Sequence, residues 1–135
     1  STQSTGNFMS EIKMDIAALK SKLETIRNEG KWVSANRCVV KAIEDGTAKV
    51  VFVAQDCDDK EVVKQLQSLI YAAAEKANII VCKKFSQHYL GSLSKCGATV
   101  KKPQQILRTS TVAITEFPPS FSTEDKNALF KLLSQ

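Results

Sequence analysis

The sequence predicts one α/β domain, a three-layer αβα sandwich in which helices cover both faces of a mixed, largely parallel and mostly four-stranded sheet. Three observations predict it. The runs from Ala48 to Ala54 and from Ile79 to Cys82 are apolar and rich in β-branched residues, as strands buried on both faces are. Elsewhere apolar residues recur at three- and four-residue steps, which places one stripe along one side of a helix. The two patterns alternate along the chain, and such alternation builds a sheet between helical layers.

The first helix is predicted from Asp15 to Asn28, with Ile16, Leu19, Leu23 and Ile26 as its stripe. Gly30 stands where a helix commonly ends in a left-handed residue. A short extended piece follows at Lys31, Trp32 and Val33. Ser34 is the expected cap of a second helix with an apolar face of Ala35, Cys38, Val39, Ala42 and Ile43, closed by Gly46. Beyond the first apolar run, Asp58 and Glu61 have the spacing of a capping box for a third helix ending near Ala77. Its inward residues are expected to be Val62, Val63, Leu66, Leu69, Ile70 and Ala73. Ser86 is placed to cap a short fourth helix carrying Leu90 and Leu93. Periodicity dissolves between Lys95 and Arg108 into a basic loop. Thr111 to Phe117 reads as the last strand, stopped by Pro118 and Pro119, which cannot donate to a ladder. Ser122 opens a C-terminal helix with Ala128, Leu129, Leu132 and Leu133 on one side. Residues 1–10 are expected to be a flexible N-terminus and 11–135 a single domain.

The 135 residues are 43% hydrophobic and 24% charged, a globular balance. No apolar run approaches the roughly 20 residues that span a bilayer. Neither a secretory nor an Arg-rich leader pattern opens the sequence, so a cytosolic or nuclear protein is expected. Cys38, Cys57, Cys82 and Cys96 are too scattered for the Cys-x-x-Cys of a zinc site; reduced, packed thiols are expected, with no metal and no cofactor. His88 is the sole histidine, and no spacing brings a thiol to it. No catalytic residue is assigned, and the chain is not expected to be an enzyme. The acidic run Asp56, Asp58, Asp59 and Glu61 lacks the alternating ligands and central glycine of a calcium loop and is read as helix capping. No phosphate-cradling glycine signature is present.

What remains is cationic. Net charge is +5, Arg37 and Lys41 fall one helical turn apart, and Lys83, Lys84, Lys95, Lys101, Lys102 and Arg108 surround one strand-end region. Clustered cations of this kind are the footprint of a nucleic acid, whose phosphates release counterions on contact.

Lys41-Ala42, Ala54-Gln55-Asp56 and Leu90-Gly91 resemble the L7Ae/L30e family of RNA-binding proteins. That family's pattern is Gly-x-Asn-Glu-x-x-Lys-Ala, an apolar strand ending Ala-x-Asp, and a Leu-Gly in the fourth helix. The order of elements agrees from about Asp15 to Phe117. Aligned on Lys41, the family's Gly, Asn and Glu become Ala35, Arg37 and Cys38. In kink-turn binders the Asn and Glu contact the sheared G·A pairs. Arg37 at the Asn position, the long first helix, Cys57-Asp58 after the strand and the basic loop before the last strand are similar to the family's eukaryotic small-subunit ribosomal branch.

The resemblance implies a structural constituent of the small ribosomal subunit, in the beak of its head, bound to ribosomal RNA and to neighbouring small-subunit proteins. It implies cytoplasmic ribosomes with nucleolar assembly, and neither membrane nor small-molecule substrate. Two alternatives stay open: a kink-turn adaptor of a nucleolar or ribonuclease P type ribonucleoprotein, and a protein-interaction module of the same fold. RNA contact is implied at Arg37, Lys41, Lys83, Lys84 and Ser86; charge alone adds Lys101 and Lys102.

Overall fold

The computed structural model describes residues 5–57, 60–95, 101 and 107–134, with side chains from residue 15 onward. Its elements in chain order are α1 (Thr5–Glu29), β1 (Lys31–Ser34), α2 (Asn36–Glu44), β2 (Val50–Val53), α3 (Glu61–Ala77), β3 (Val81–Cys82), α4 (Gln87–Ser94), β4 (Thr111–Glu116) and α5 (Thr123–Leu133). The sheet is four-stranded in the order β1-β4-β2-β3. Strands β2 and β3 run parallel, whereas β4 lies antiparallel to both β1 and β2. The expectation of a largely parallel sheet is thereby corrected. A strand covered on both faces is apolar whichever way it runs, so composition carries no record of direction.

Register decides what meets at the sheet ends. Ser34 pairs with Val112, Val53 with Thr111, and Phe52 with Cys82. The C-terminal ends of β1, β2 and β3 therefore share one rim with the N-terminal end of β4.

Alternation along β2 serves two cores. Val50 and Phe52, with Val112 and Ile114, pack under Leu19, Leu23, Ile26, Leu90, Leu93 and Leu129 from α1, α4 and α5. Val51 and Val53, with Ala113, pack under Val39, Ala42, Ile43, Ile70 and Ala74 from α2 and α3. Each fully buried aliphatic or aromatic side chain among them contributes about 1.5–3 kcal/mol relative to exposure. Three layers result, as expected.

Local departures have physical causes. Helix α1 starts ten residues earlier than expected, at Thr5; the three- and four-residue stepping continues back through Ile12 and Phe8. Gly30 is not among the residues with positive φ. A Cβ there would stand 2.7 Å from the Glu116 carbonyl oxygen and 2.9 Å from that of Ile26, so the glycine permits a close backbone approach instead. Ser34 belongs to β1, and the N-cap of α2 is Ala35. Cys38, expected on the packed face, is exposed: at about 100° per residue it lies at the edge of the stripe, about 40° from Ala42 but about 100° from Val39 and about 140° from Ile43. Helix α3 opens after Lys60 with no side-chain cap, so the capping box expected from Asp58 does not start it; Asp58 itself lies outside the described residues. Ile70 and Ala74 are its buried residues, while Val62 is 66%, Leu66 37% and Leu69 59% exposed. The helix is apolar around much of its circumference, and its packing selected a different stripe. Strand β3 is only two residues long, with Ile79 and Ile80 half-buried ahead of it. Ser86 and Ser122 cap α4 and α5 as expected, the latter in a full capping box with Asp125.

Candidate nucleic-acid interface

The two helices that begin at the shared rim begin differently. At α2, Ala35 offers no side-chain acceptor and the first turn holds no acid. The Ala35 amide donates to the Thr111 carbonyl at 3.1 Å, and the Ala35 carbonyl accepts from the Val39 amide at 3.0 Å. Those two bonds hold Ala35 at φ 79°, ψ 144°, a conformation suited to glycine, which is the family residue at this position. The neighbouring Asn36 accepts from the Thr111 hydroxyl. What this leaves is a helix N-terminus with no side-chain cap bond from its N-cap residue and no acid in its first turn, with Arg37 exposed in that turn and Lys41 exposed one turn on. Helix N-termini are in general favourable to anions such as phosphate.

At α4 the equivalent groups are taken. The Ser86 hydroxyl oxygen accepts from the Tyr89 amide at 3.2 Å. The Asp56 carboxylate accepts from the Gln87 amide at 2.8 Å, and the Gln87 side chain donates back to the Asp56 carbonyl at 2.9 Å. Ser86 thus stands on the predicted rim with its oxygen committed to the helix. The acidic turn, expected to cap α3, sends Asp56 to α4.

Backbone bonds close the rim into one unit. The Ala54 amide donates to the Ser110 carbonyl at 2.9 Å, Gln55 to Phe85 at 2.9 Å and Thr109 to Gln87 at 3.2 Å. Gly91 supports the same unit: a Cβ on it would overlap the Leu107 carbonyl oxygen, so the segment leading into β4 lies directly on α4. This is the physical content of the Leu90-Gly91 pair. Arg108, on that segment, is exposed.

The remaining predicted residues divide. Lys84 is half-buried, and its ammonium donates to the Leu132 carbonyl at 3.3 Å, satisfying the C-terminal turn of α5. Lys83 is exposed and lines, with Lys84, Asp15, Ile16 and Leu132, a recess of about 400 Å³ under α1 and α5. These two lysines therefore flank the rim from the opposite layer to Arg37 and Lys41. Lys101 is exposed, and Lys102 lies outside the described residues. Among the described residues the one ion pair is Lys31–Glu116, at the far end of the sheet, and none of Arg37, Lys41, Lys83 and Arg108 is ion-paired among them.

Sequence reasoning missed Asn36, Gln87 and Thr111 as rim-forming residues. The polar start of β4 and the Ala-x-Asp ending of β2 were the available signals. Burial pushes the Cys82 thiol up, with Lys84 opposing, and a protonated, buried thiol is a poor nucleophile. His88 is exposed on α4. Among the described residues no group of three His, Cys, Asp or Glu is placed to hold a metal, and no helix is long and apolar enough to cross a membrane.

The fold is an α/β domain with Arg37 and Lys41 exposed at the start of α2 and Lys83 exposed on the opposite layer. The model of the Ribosomal protein L7Ae/L30e/S12e/Gadd45 family matches residues 17–108, and the chain belongs to that family. Large ribosomal subunit protein eL30 of Tetrahymena thermophila is 30% identical over 98 residues, which are 73% of this chain and 82% of that protein. A solved structure from Bacillus halodurans, described as a protein with unknown function, superposes with a TM-score of 0.59 at 14% identity, covering 87% of this chain and 97% of the other. It shares the fold.

Proposed function

We propose that this chain is a ribosomal protein that docks on folded ribosomal RNA through the rim at the start of α2, without making or breaking a bond. The observation that carries the reading is the α2 N-terminus itself, which has no side-chain cap and no acid in its first turn, beside Arg37 and Lys41, neither of which is ion-paired among the described residues. Phosphate contacts position a protein on RNA, and this end supplies backbone donors, dipole and guanidinium together. Arg37 and Cys38 stand where a kink-turn binder carries an amide and a carboxylate, so the contact is to backbone rather than to G·A pairs. Lys83, Arg108, Lys101 and Lys102 extend the contact; Ser86 and Lys84 hold the rim in shape.

Within the ribosome we assign the chain to the small subunit, in the beak of the head, among neighbouring small-subunit proteins, on cytoplasmic ribosomes after nucleolar assembly. Arg37 at the family's Asn position, the 25-residue α1, Cys57 after β2 and the basic segment before β4 support this. The similarity to a large-subunit protein favours the other subunit as the second reading. Sedimentation of the tagged chain in a sucrose gradient separates the two. The expected result is co-migration with the small subunit; migration with the large subunit transfers the assignment, and a signal confined to the free pool overturns the ribosomal reading.

A further inference from the structure

Helix α3 turns Val62, Leu66 and Leu69 outward, at i, i+4 and i+7, although the protein has a packed core available on its other side. Leu66 and Leu69 form one wall of a groove whose other wall is Val40 on α2, with a volume of about 330 Å³. A second recess of about 630 Å³ shares Glu44 with the groove and is lined by Ile43, Ala72, Ala73 and Ala77. Arg37 and Lys41 line the first recess and Lys76 the second, with the single carboxylate of Glu44 between them.

We propose that this α2–α3 groove docks an amphipathic α-helix of another protein, with aliphatic anchors for the Leu66–Leu69 wall and carboxylates toward its cationic ends. An apolar groove between two helices is the receptor side of helix-in-groove recognition, and its alanines let a backbone approach closely. Charge selects the occupant. A second copy of this chain, at net +5, would bring cations to a groove already bounded by them. RNA would have to desolvate an aliphatic wall, and the groove holds no aromatic ring on which a base could stack.

The test uses the full chain with isotope-labelled Leu and Val methyls and a fluorescent 18-residue peptide, designed helical, with Leu at i, i+3, i+4 and i+7 and Glu at both ends. The peptide should shift the Leu66, Leu69 and Val62 methyls, and L66Q/L69Q should weaken its binding at least tenfold while leaving affinity for ribosomal RNA within twofold. Leu69 is 59% and Leu66 37% exposed, so the variant should keep the parent's circular dichroism, and L69Q alone, at the more exposed position, should weaken the peptide in the same sense. Peptide binding unaffected by L66Q/L69Q, or methyl shifts elsewhere, would overturn the proposal. So would the same methyls moving with RNA alone or with protein concentration alone, which would assign the groove to RNA or to a second copy.

Discussion

Replacing Ala35 by glycine should stabilise the protein. The amide and carbonyl of Ala35 are both hydrogen-bonded, to Thr111 and Val39, so its backbone cannot relax from φ 79°, ψ 144° without breaking one of them. A non-glycine residue held in such a region costs about 1–3 kcal/mol. The methyl group is exposed, so deleting it forfeits little burial. Glycine frees the unfolded chain by about 0.4–1 kcal/mol, which opposes the gain. The balance is a stabilisation of about 1 kcal/mol, or a rise in Tm of about 3–5 °C for a domain of this size. Thermal and urea unfolding followed by circular dichroism measure it. An unchanged or lower Tm for A35G would refute the reasoning, because it would mean that the turn into α2 stores no strain.

Gly91→Ala acts in the opposite sense. The new Cβ overlaps the Leu107 carbonyl oxygen, a backbone atom that cannot swing aside, so a loss of about 2–3 kcal/mol is expected in urea unfolding. Retained stability would mean that the segment before β4 does not rest on α4. Tyr89 provides a pH signature: burial, then the Glu24 carboxylate, push its phenol from 10.0 to about 12, with Arg27 opposing. Since the folded chain holds that proton more tightly than the unfolded one, stability should fall as pH rises from about 10 to about 12. Ultraviolet titration should show a tyrosine step near 12 that disappears in Tyr89→Phe; a step unchanged by the substitution would contradict the assignment.

Much of this architecture was readable from residues because the relevant signals are local. Val50 to Val53 could be buried only between two layers, and Ser86 and Ser122 cap from within their own turns. The failures came where the deciding partner is remote in sequence. Whether α3 buries Leu66 and Leu69 or Ile70 and Ala74 depends on how α2 meets it, and both stripes have helical spacing. The same limit applied at the rim. Charge identified Arg37 and Lys41, but nothing local distinguishes the exposed Lys83 from Lys84, whose ammonium is bound by a carbonyl 48 residues away. Asp56 belonged to an acidic run read as helix capping, and the helix it serves is α4, 31 residues on.

The central claim is that phosphates dock where α2 begins. Filter binding of the chain to small-subunit ribosomal RNA across a salt series tests it most directly, comparing the parent with R37E/K41E at matched circular dichroism. Each lost phosphate contact removes roughly 0.7–0.9 from the slope of log affinity against log salt, so the pair should reduce it by about 1.5 and weaken binding throughout. Equal affinity and an equal slope for the two proteins would contradict the account.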